Sequence, residues 1–333
     1  MFLYRDILKK SWKITWGHKY LWFFGLFAAL LTGIGRYNVS FSQSAENWNS
    51  SLFAGLSNIA NSGLLAGNFF SSLLLHFRQD PLAATTYLIF LLTILIISFL
   101  LLWLAVVSQG GLINNASKII KANGKNGKTT IKEGLFHGNK NFWQILGINL
   151  IAAAFTSFFA ALVGLPLLYA GVRSNPVLAL LYVLLFILFI PLALIISFLG
   201  KYAVCYKVIK GKSFVDSVVE AINLFGKNWL ISIEMSLLLF MVDVLAIFSG
   251  ALIILSLSVP YRFIAVVAGL IIAPGISLLI IAVGLALALI FVIFAGAALV
   301  TFKTIAWTDM FISLNDKKGN LSKIIRLATN LRK

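Results

Sequence analysis

The chain has 333 residues, of which 60% are hydrophobic and only 11% are charged, and its mean hydropathy is +0.98. These values exclude a soluble globular domain, because no core of that size buries so much apolar surface. The formal net charge of +17 would favour a nucleic-acid partner only if the basic residues formed one patch, and they are dispersed along the chain.

The distribution of Lys and Arg predicts how the chain is oriented in a membrane. If the long apolar runs cross it, 23 of the 27 basic residues fall on one side, within residues 1–19, 113–141, 201–228 and 303–333. Cytoplasmic loops of membrane proteins carry such an excess. The sequence therefore predicts a multi-pass protein of the plasma or inner membrane, with both termini cytoplasmic and no nucleic-acid partner.

The chain begins with an amphipathic helix and a short apolar run. In residues 2–16, apolar side chains such as Ile7, Trp12 and Trp16 recur at helical spacing, so this helix should lie in the membrane interface. The run at about residues 20–35 is short for a span, which needs roughly 20 residues. It is either a first span or a cleaved signal peptide, and we favour the span because the motif that opens it recurs later.

We call that motif an elbow, and it occurs three times. In each copy a glycine is followed by a basic residue, then by an aromatic residue and then by a run of apolar residues. This order suits a chain that turns from the membrane surface into the bilayer, with Gly ending a helix, Lys among the headgroups and Trp at the interface. The elbows at residues 17–22, 138–143 and 226–229 contain Lys19 and Trp22, Lys140 and Trp143, and Lys227 and Trp229.

The apolar runs predict six spans, at about residues 20–35, 82–107, 143–171, 177–200, 229–257 and 276–302. A long segment rich in Ser and Asn, residues 36–81, is predicted on the outer side. The glycine pair at 110–111 is expected to end the second span. Thr130 and Glu133 form a capping-box pattern that opens a short helix, which Gly138 should close.

The apolar run at residues 263–302 is too long for one span, because 40 helical residues measure about 60 Å, twice the hydrocarbon thickness. The run follows Pro260, Tyr261 and Arg262, and we predict a hinge inside it at Pro274 and Gly275. Residues 263–273 would then form an interfacial or re-entrant piece, since a further crossing would put the basic C-terminal tail outside.

Together these patterns predict an all-α membrane protein with six transmembrane helices in three repeated hairpins and amphipathic cytoplasmic interfacial helices. Each repeat contains an interfacial helix, an elbow, a span, an outer turn and a second span. The membrane domain covers residues 1–310, and a basic amphipathic tail, residues 311–333, follows it. Tandem repeats of this kind are related by an axis along the membrane normal.

Few residues are of the types that catalysis or metal binding requires. With 10 acidic residues, 3 histidines and 1 cysteine, the chain shows neither metal-ligand spacing nor a nucleophile motif. We therefore predict no enzyme, no cofactor and no metal site. The candidate polar site consists of Glu234 and Asp243, because an ionisable group at bilayer depth costs about 2.5–3.5 kcal/mol.

These two carboxylates are expected to play different parts. Glu234, five residues after Trp229, should reach the headgroups or pair with an elbow lysine. Asp243 is predicted near the middle of its span, with no Lys or Arg at comparable depth. It makes either a polar contact inside the bundle or a contact with an ion, a proton or a substrate. Nine residues separate the two, about 180° around a helix, so they do not share a face.

Three short motifs carry a resemblance to a known group: Tyr20-Leu21-Trp22-x-x-Gly25, Gly110-Gly111 and Gly226-Lys227-Asn228-Trp229. Over about residues 2–310 the chain resembles six-helix prokaryotic membrane proteins that include the glycerophosphoryl diester phosphodiesterase membrane domain. The resemblance implies six spans with both ends inside, no catalytic residue in the membrane domain, and a role in envelope or lipid-related processes or in transport.

The sequence favours a non-enzymatic envelope- or lipid-associated scaffold or accessory protein. The alternative is a transporter or channel-like protein with a midplane site near Asp243 and the break at Pro274 and Gly275. Anionic membrane lipids are the expected partners, since each base near an anionic surface contributes about 1 kcal/mol. A protein partner would bind the outer segment, residues 36–81, or the cytoplasmic elbows.

Overall fold

The computed structural model describes residues 3–33, 81–122, 129–168, 176–271 and 274–315, and these are almost entirely helical, without a β-strand. The helices are α1 (Leu3–Gly17), α2 (Leu21–Gly33), α3 (Pro81–Lys121), α4 (Ile131–Lys140), α5 (Phe142–Leu168), α6 (Pro176–Lys210), α7 (Phe214–Ile271) and α8 (Pro274–Asn315). Residues 36–80 of the predicted outer segment and residues 316–333 of the predicted tail lie outside the described residues.

Five of the described helices, α3, α5, α6, α7 and α8, are long and apolar enough to cross a membrane. In the most apolar window of each, at most 17% of the residues are buried. The Leu, Ile, Val and Phe side chains of these windows therefore face outward, which is favourable only in lipid. The described chain is thus an all-α, multi-pass membrane protein. Helix α2, with 13 residues, is shorter than these five.

The chain divides into two compact units, Met1–Leu30 with Ala105–Lys333, and Leu31–Leu104. In the second unit, most described residues belong to the first part of α3, residues 81–104. Its threonine hydroxyls donate to carbonyl oxygens one turn back, as Thr93 does to Ile89 at 2.8 Å. Such bonds satisfy polar side chains where no water is present.

In the first unit, the core lies at one end of the helices. Apart from Ala265, the buried apolar side chains of the described chain fall within residues 4–28, 105–120, 142–148, 198–206, 221–239 and 297–311. We call this the basic-end core, because these segments adjoin the Lys-rich stretches. Its tightest cluster includes Leu21 and Phe24 of α2, Leu112 and Ile119 of α3, and Ile305 of α8.

Helices α3, α6 and α8 reach further than the predicted spans. Helix α3 continues through Gly110 and Gly111 to Lys121, so this glycine pair does not end the helix that carries the predicted second span. A glycine inside a helix costs only about 1 kcal/mol relative to alanine. Here it gives room for a neighbour, because a Cβ on Gly111 would lie 2.7 Å from the carbonyl oxygen of Gly134 in α4.

Helix α7 is continuous through Pro260 as far as Ile271, beyond the predicted end of the fifth span at about residue 257. Proline removes one helical hydrogen bond, and helices in lipid tolerate this where a neighbouring helix packs alongside. Tyr261 anchors this region to α8 by donating its hydroxyl to the carbonyl oxygen of Ile280 at 2.9 Å. Residues 263–271 therefore extend the fifth helix instead of forming a separate interfacial piece.

Candidate functional site

The helical run is interrupted at each of the three elbows. Helix α1 ends at Gly17 and α2 begins at Leu21, whereas α4 and α5 are separated only by Asn141. Inside α7 the backbone leaves the helical conformation at Asn228, with φ −133° and ψ 28°. The chain thus changes direction by a short turn in the first two elbows and by a kink in the third.

Asparagines, and not glycines, make the second and third interruptions. Gly138 and Gly226 lie within helical segments, and Gly211 is the only glycine with positive φ among the described residues. The prediction that the elbow glycine ends the helix is therefore wrong at these two positions. The side-chain amides of Asn141 and Asn228 instead donate to the carbonyl oxygens four residues earlier, at 3.1 and 3.0 Å. Such bonds compete with the helical ladder.

The elbow bases and aromatic residues differ in their exposure. Lys19, Lys140 and Lys227 are exposed, as are Trp143 and Trp229. Trp22 is partly buried, and its indole N–H donates to the carbonyl oxygen of Thr15 at 2.9 Å. Two elbow tryptophans are therefore available to the surroundings, and the third holds the first elbow together.

The helices that precede the elbows bury their small residues and expose large apolar ones. The buried small residues are Ser11 and Thr15 in α1, Gly134 and Gly138 in α4, and Ser217 and Ala221 at the start of α7, beside larger ones such as Ile7 and Ile14. The exposed ones are Trp12 and Trp16, Phe136, and Val219 and Ile222. This arrangement is unfavourable in water and favourable at a lipid surface. The periodicity of α1 had suggested a single apolar face that included Ile7, which is buried, and both tryptophans.

Glycine permits the closest of these contacts. A Cβ on Gly138 would overlap the carbonyl oxygen of Val107 in α3, so α4 lies almost in backbone contact with α3. Gly134 and Gly138 have the four-residue spacing of small residues that allows helices to approach closely. The same segment carries the predicted capping box, which is confirmed, because the Thr130 hydroxyl accepts from the Glu133 backbone N–H at 3.2 Å.

Asp243 forms an ion pair with Lys303 of α8. The ammonium nitrogen lies 3.0 Å from one carboxylate oxygen and 3.1 Å from the other, and the side chains are 24% and 30% exposed. The prediction that no base lies at the depth of Asp243 is therefore wrong. Lys303 directly follows the predicted sixth span, so the partner of Asp243 comes from the end of that predicted span. The error arose because the start of α7 belongs to the basic-end core.

Glu234 lies in a different environment. It accepts a hydrogen bond from the Tyr4 hydroxyl of α1, and not from an elbow lysine. Glu234 and Asp243 thus contact different helices, in agreement with their positions on opposite faces of α7. Neither contact involves Pro274, which is the first residue of α8. Asp243 is about 42 Å along α7 from Ile271, so the structure does not bring it near the predicted hinge at Pro274 and Gly275.

Comparisons with protein-family models, curated proteins and solved structures gave no match. The resemblance to the phosphodiesterase-associated membrane domain stays a prediction. Among the residues that the structure describes, no group of three or more His, Cys, Asp and Glu side chains comes together. The function has to be argued from the contacts between the helices.

An ion pair between α1 and α8, with a buried carboxylate, was not predicted from the sequence. Lys10 of α1 lies 3.5 Å from a carboxylate oxygen of Asp309 in α8, and the Asp309 side chain is only 8% exposed. Lys10 also donates to the carbonyl oxygen of Ile120 in α3 at 3.3 Å. One ammonium group thereby joins three helices. The sequence did contain a signal for this pair. Asp309 is an isolated acidic residue soon after the predicted sixth span, in a stretch where basic residues predominate.

Proposed function

We propose that the chain is a non-enzymatic scaffold or accessory protein of the cytoplasmic membrane, associated with the cell envelope or its lipids. In this proposal it has six spans in three repeated hairpins. Helix α2 contributes the first span, both termini are cytoplasmic, and the basic-end core lies on the cytoplasmic side.

The contacts of the helices that precede the elbows support the threefold arrangement. Helix α4 packs on α3 at Gly138 and Val107, and the start of α7 packs on α6, where the rings of Phe198 and Phe225 are 5.9 Å apart. Helix α1 packs on α8, the last helix of the described chain. Each interfacial helix thus contacts the second span of the hairpin before it, and α1 closes the series. Repeats around an axis along the membrane normal would have this pattern.

The location of the core is the observation that carries the scaffold proposal. Buried large side chains and buried polar groups are concentrated in the basic-end core, whereas the most apolar windows of the candidate spans are almost unburied. A transporter is expected to enclose a polar site near the bilayer midplane. A rigid cytoplasmic face on loosely packed spans suits a protein that holds a partner at the membrane.

A transporter is the second candidate, and the Asp243–Lys303 pair favours it. The pair joins two candidate spans, α7 and α8, and both side chains stay partly accessible. Its position at the end of the predicted sixth span is less suitable, because transporter sites lie near the midplane.

Photo-cross-linking in cells separates the two candidates. A photo-reactive amino acid at Lys121 or Lys210, the exposed last residues of α3 and α6, should give a protein adduct of defined mass. The same group at Leu245, an exposed position two residues after Asp243, should label lipid only. The adducts should persist in an Asp243→Asn background. Absence of protein adducts, together with ion flux in proteoliposomes that Asp243→Asn abolishes, would instead support the transporter.

A further inference from the structure

We propose that the exposed face of α1 binds the headgroups of anionic phospholipids in the inner leaflet. This inference rests on the proposed function only in so far as the latter puts α1 on the cytoplasmic side of the membrane. The observations that carry it are a continuous strip of aromatic rings, unused hydrogen-bond donors and the charges beside them.

The aromatic strip crosses three helices. The ring of Trp12 lies 6.1 Å from Phe302 of α8 and 5.6 Å from Trp16, and Trp16 lies 5.1 Å from Trp22 of α2. Trp12 and Trp16 are 59% and 47% exposed. Phe302 ends the predicted sixth span, so the strip is level with the boundary between hydrocarbon and headgroups. Tryptophan is enriched at that depth, because its ring is apolar and its N–H is polar.

The donors of the strip are free to bind a ligand. The Trp22 indole N–H is already bonded to Thr15, whereas those of Trp12 and Trp16 have no hydrogen-bond partner among the described residues. Lys9 and Lys13 are exposed on the same face, because positions 9, 12, 13 and 16 follow one another at helical spacing. The face therefore offers two ammonium groups and two indole N–H groups to one set of acceptors.

The charges specify an anionic occupant. Arg5, Lys9 and Lys13 are exposed on α1, and Asp6 is the only acidic residue of that helix, so the exposed charges sum to +2. Lys10 is excluded from this count because Asp309 neutralises it. A phospholipid with a net negative headgroup supplies phosphate oxygens to these donors and acyl chains to the tryptophans. The exposed ring of Phe23 on α2 continues the apolar surface toward the acyl chains.

The test uses the full chain in nanodiscs that contain equal amounts of phosphatidylglycerol and phosphatidylcholine. Native mass spectrometry should show retained phosphatidylglycerol in excess. Lys9→Gln combined with Lys13→Gln should lower that preference about 25-fold, since each lysine contributes about 1 kcal/mol and tenfold corresponds to about 1.4 kcal/mol. Lys9→Arg with Lys13→Arg should keep it. The matched control, Lys121→Gln with Lys210→Gln, removes the same charge at the helix tips and should have little effect.

Fluorescence provides the second measurement. Brominated phosphatidylglycerol should quench the wild-type protein more than brominated phosphatidylcholine does, and the difference should disappear in Trp12→Phe with Trp16→Phe. Equal losses of lipid preference in the α1 and helix-tip variants, or no loss in either, would overturn the proposal. Photo-cross-linking at Lys121 in the Lys9→Gln/Lys13→Gln variant tests only whether the chain binds a protein partner. The scaffold proposal and the lipid-binding proposal can therefore fail separately.

Discussion

Ionisable side chains of the basic-end core take partners from other helices. Glu133 of α4 pairs with Lys118 of α3, in the same way as Lys10 pairs with Asp309 and Tyr4 with Glu234. A hydrogen bond from Lys118 is the main cause that lowers the pKa of Glu133 below its ordinary value. The contact of Glu133 within its own helix, the capping box with Thr130, could be predicted from the spacing of the two residues. The partner Lys118 could not, because its proximity depends on how α4 packs on α3.

The Glu133–Lys118 pair predicts a pH dependence of stability. Because the pKa of Glu133 is lower in the folded than in the unfolded state, the pair stabilises the protein above the unfolded pKa, about 4.3. That contribution is lost as the pH falls through the folded pKa. Glu133→Gln should therefore lower the Tm in detergent at pH 7 and have little effect near pH 3. The change in unfolding free energy at pH 7 should stay below about 1 kcal/mol, because both side chains are partly exposed.

Lys118→Gln is the matched variant for this measurement. It removes the same pair and should show the same loss at pH 7 and the same convergence in acid. An effect of Glu133→Gln that is equally large at pH 3 and pH 7 would mean that the carboxylate charge is not what stabilises this contact.

At the scale of helices, glycine decides how closely α3 and α4 approach. Gly138→Ala should destabilise the protein by about 1–3 kcal/mol, because the added Cβ would overlap the backbone of Val107 and backbone cannot rotate away. Gly226→Ala is the control, since nothing lies within 4 Å of its Cβ position. It should be neutral or stabilising by up to about 1 kcal/mol through helix propensity. Thermal unfolding of both variants in the same detergent measures the difference.

A Gly138→Ala variant as stable as the wild-type protein would show that α4 can move away from α3 at little cost. Gly138 was predicted at the end of a helix, because glycine there usually accommodates a left-handed conformation. In a membrane protein glycine also serves close packing, and the periodicity of one helix does not distinguish the two roles. The asparagines of the elbows were the better signal for the interruptions.

For the whole molecule, hydropathy predicted the helical class and most of the long helices, but not where they end. Helices α3, α6 and α8 extend beyond the predicted spans, and apolar residues near their ends, such as Ile119 and Ile305, belong to one buried cluster. A hydropathy profile assigns such residues to a span or to a loop and does not recognise that they pack in a protein core. The partner of Asp243, Lys303, was missed for the same reason.

The predicted orientation can be tested by labelling cysteines from either side of the membrane. Lys212→Cys, in the exposed turn between α6 and α7, should react only with reagent supplied from the cytoplasm, and Arg173→Cys only with reagent from outside. The native Cys205 is buried, so the background should be low. Labelling of Lys212→Cys from outside would contradict both the six-span topology and the cytoplasmic position of the basic-end core.

The packing of α1 on α8 has a consequence for biosynthesis. Lys10 and Asp309 are separated by 299 residues, and ribosomes add about 5–20 residues per second, so roughly 15–60 s pass between their synthesis. During that interval α8, on which α1 packs, has not yet been made. The exposed tryptophans of α1 would keep the newly made helix bound at the membrane interface until then. Assembly of the basic-end core can finish only when α8 has been made.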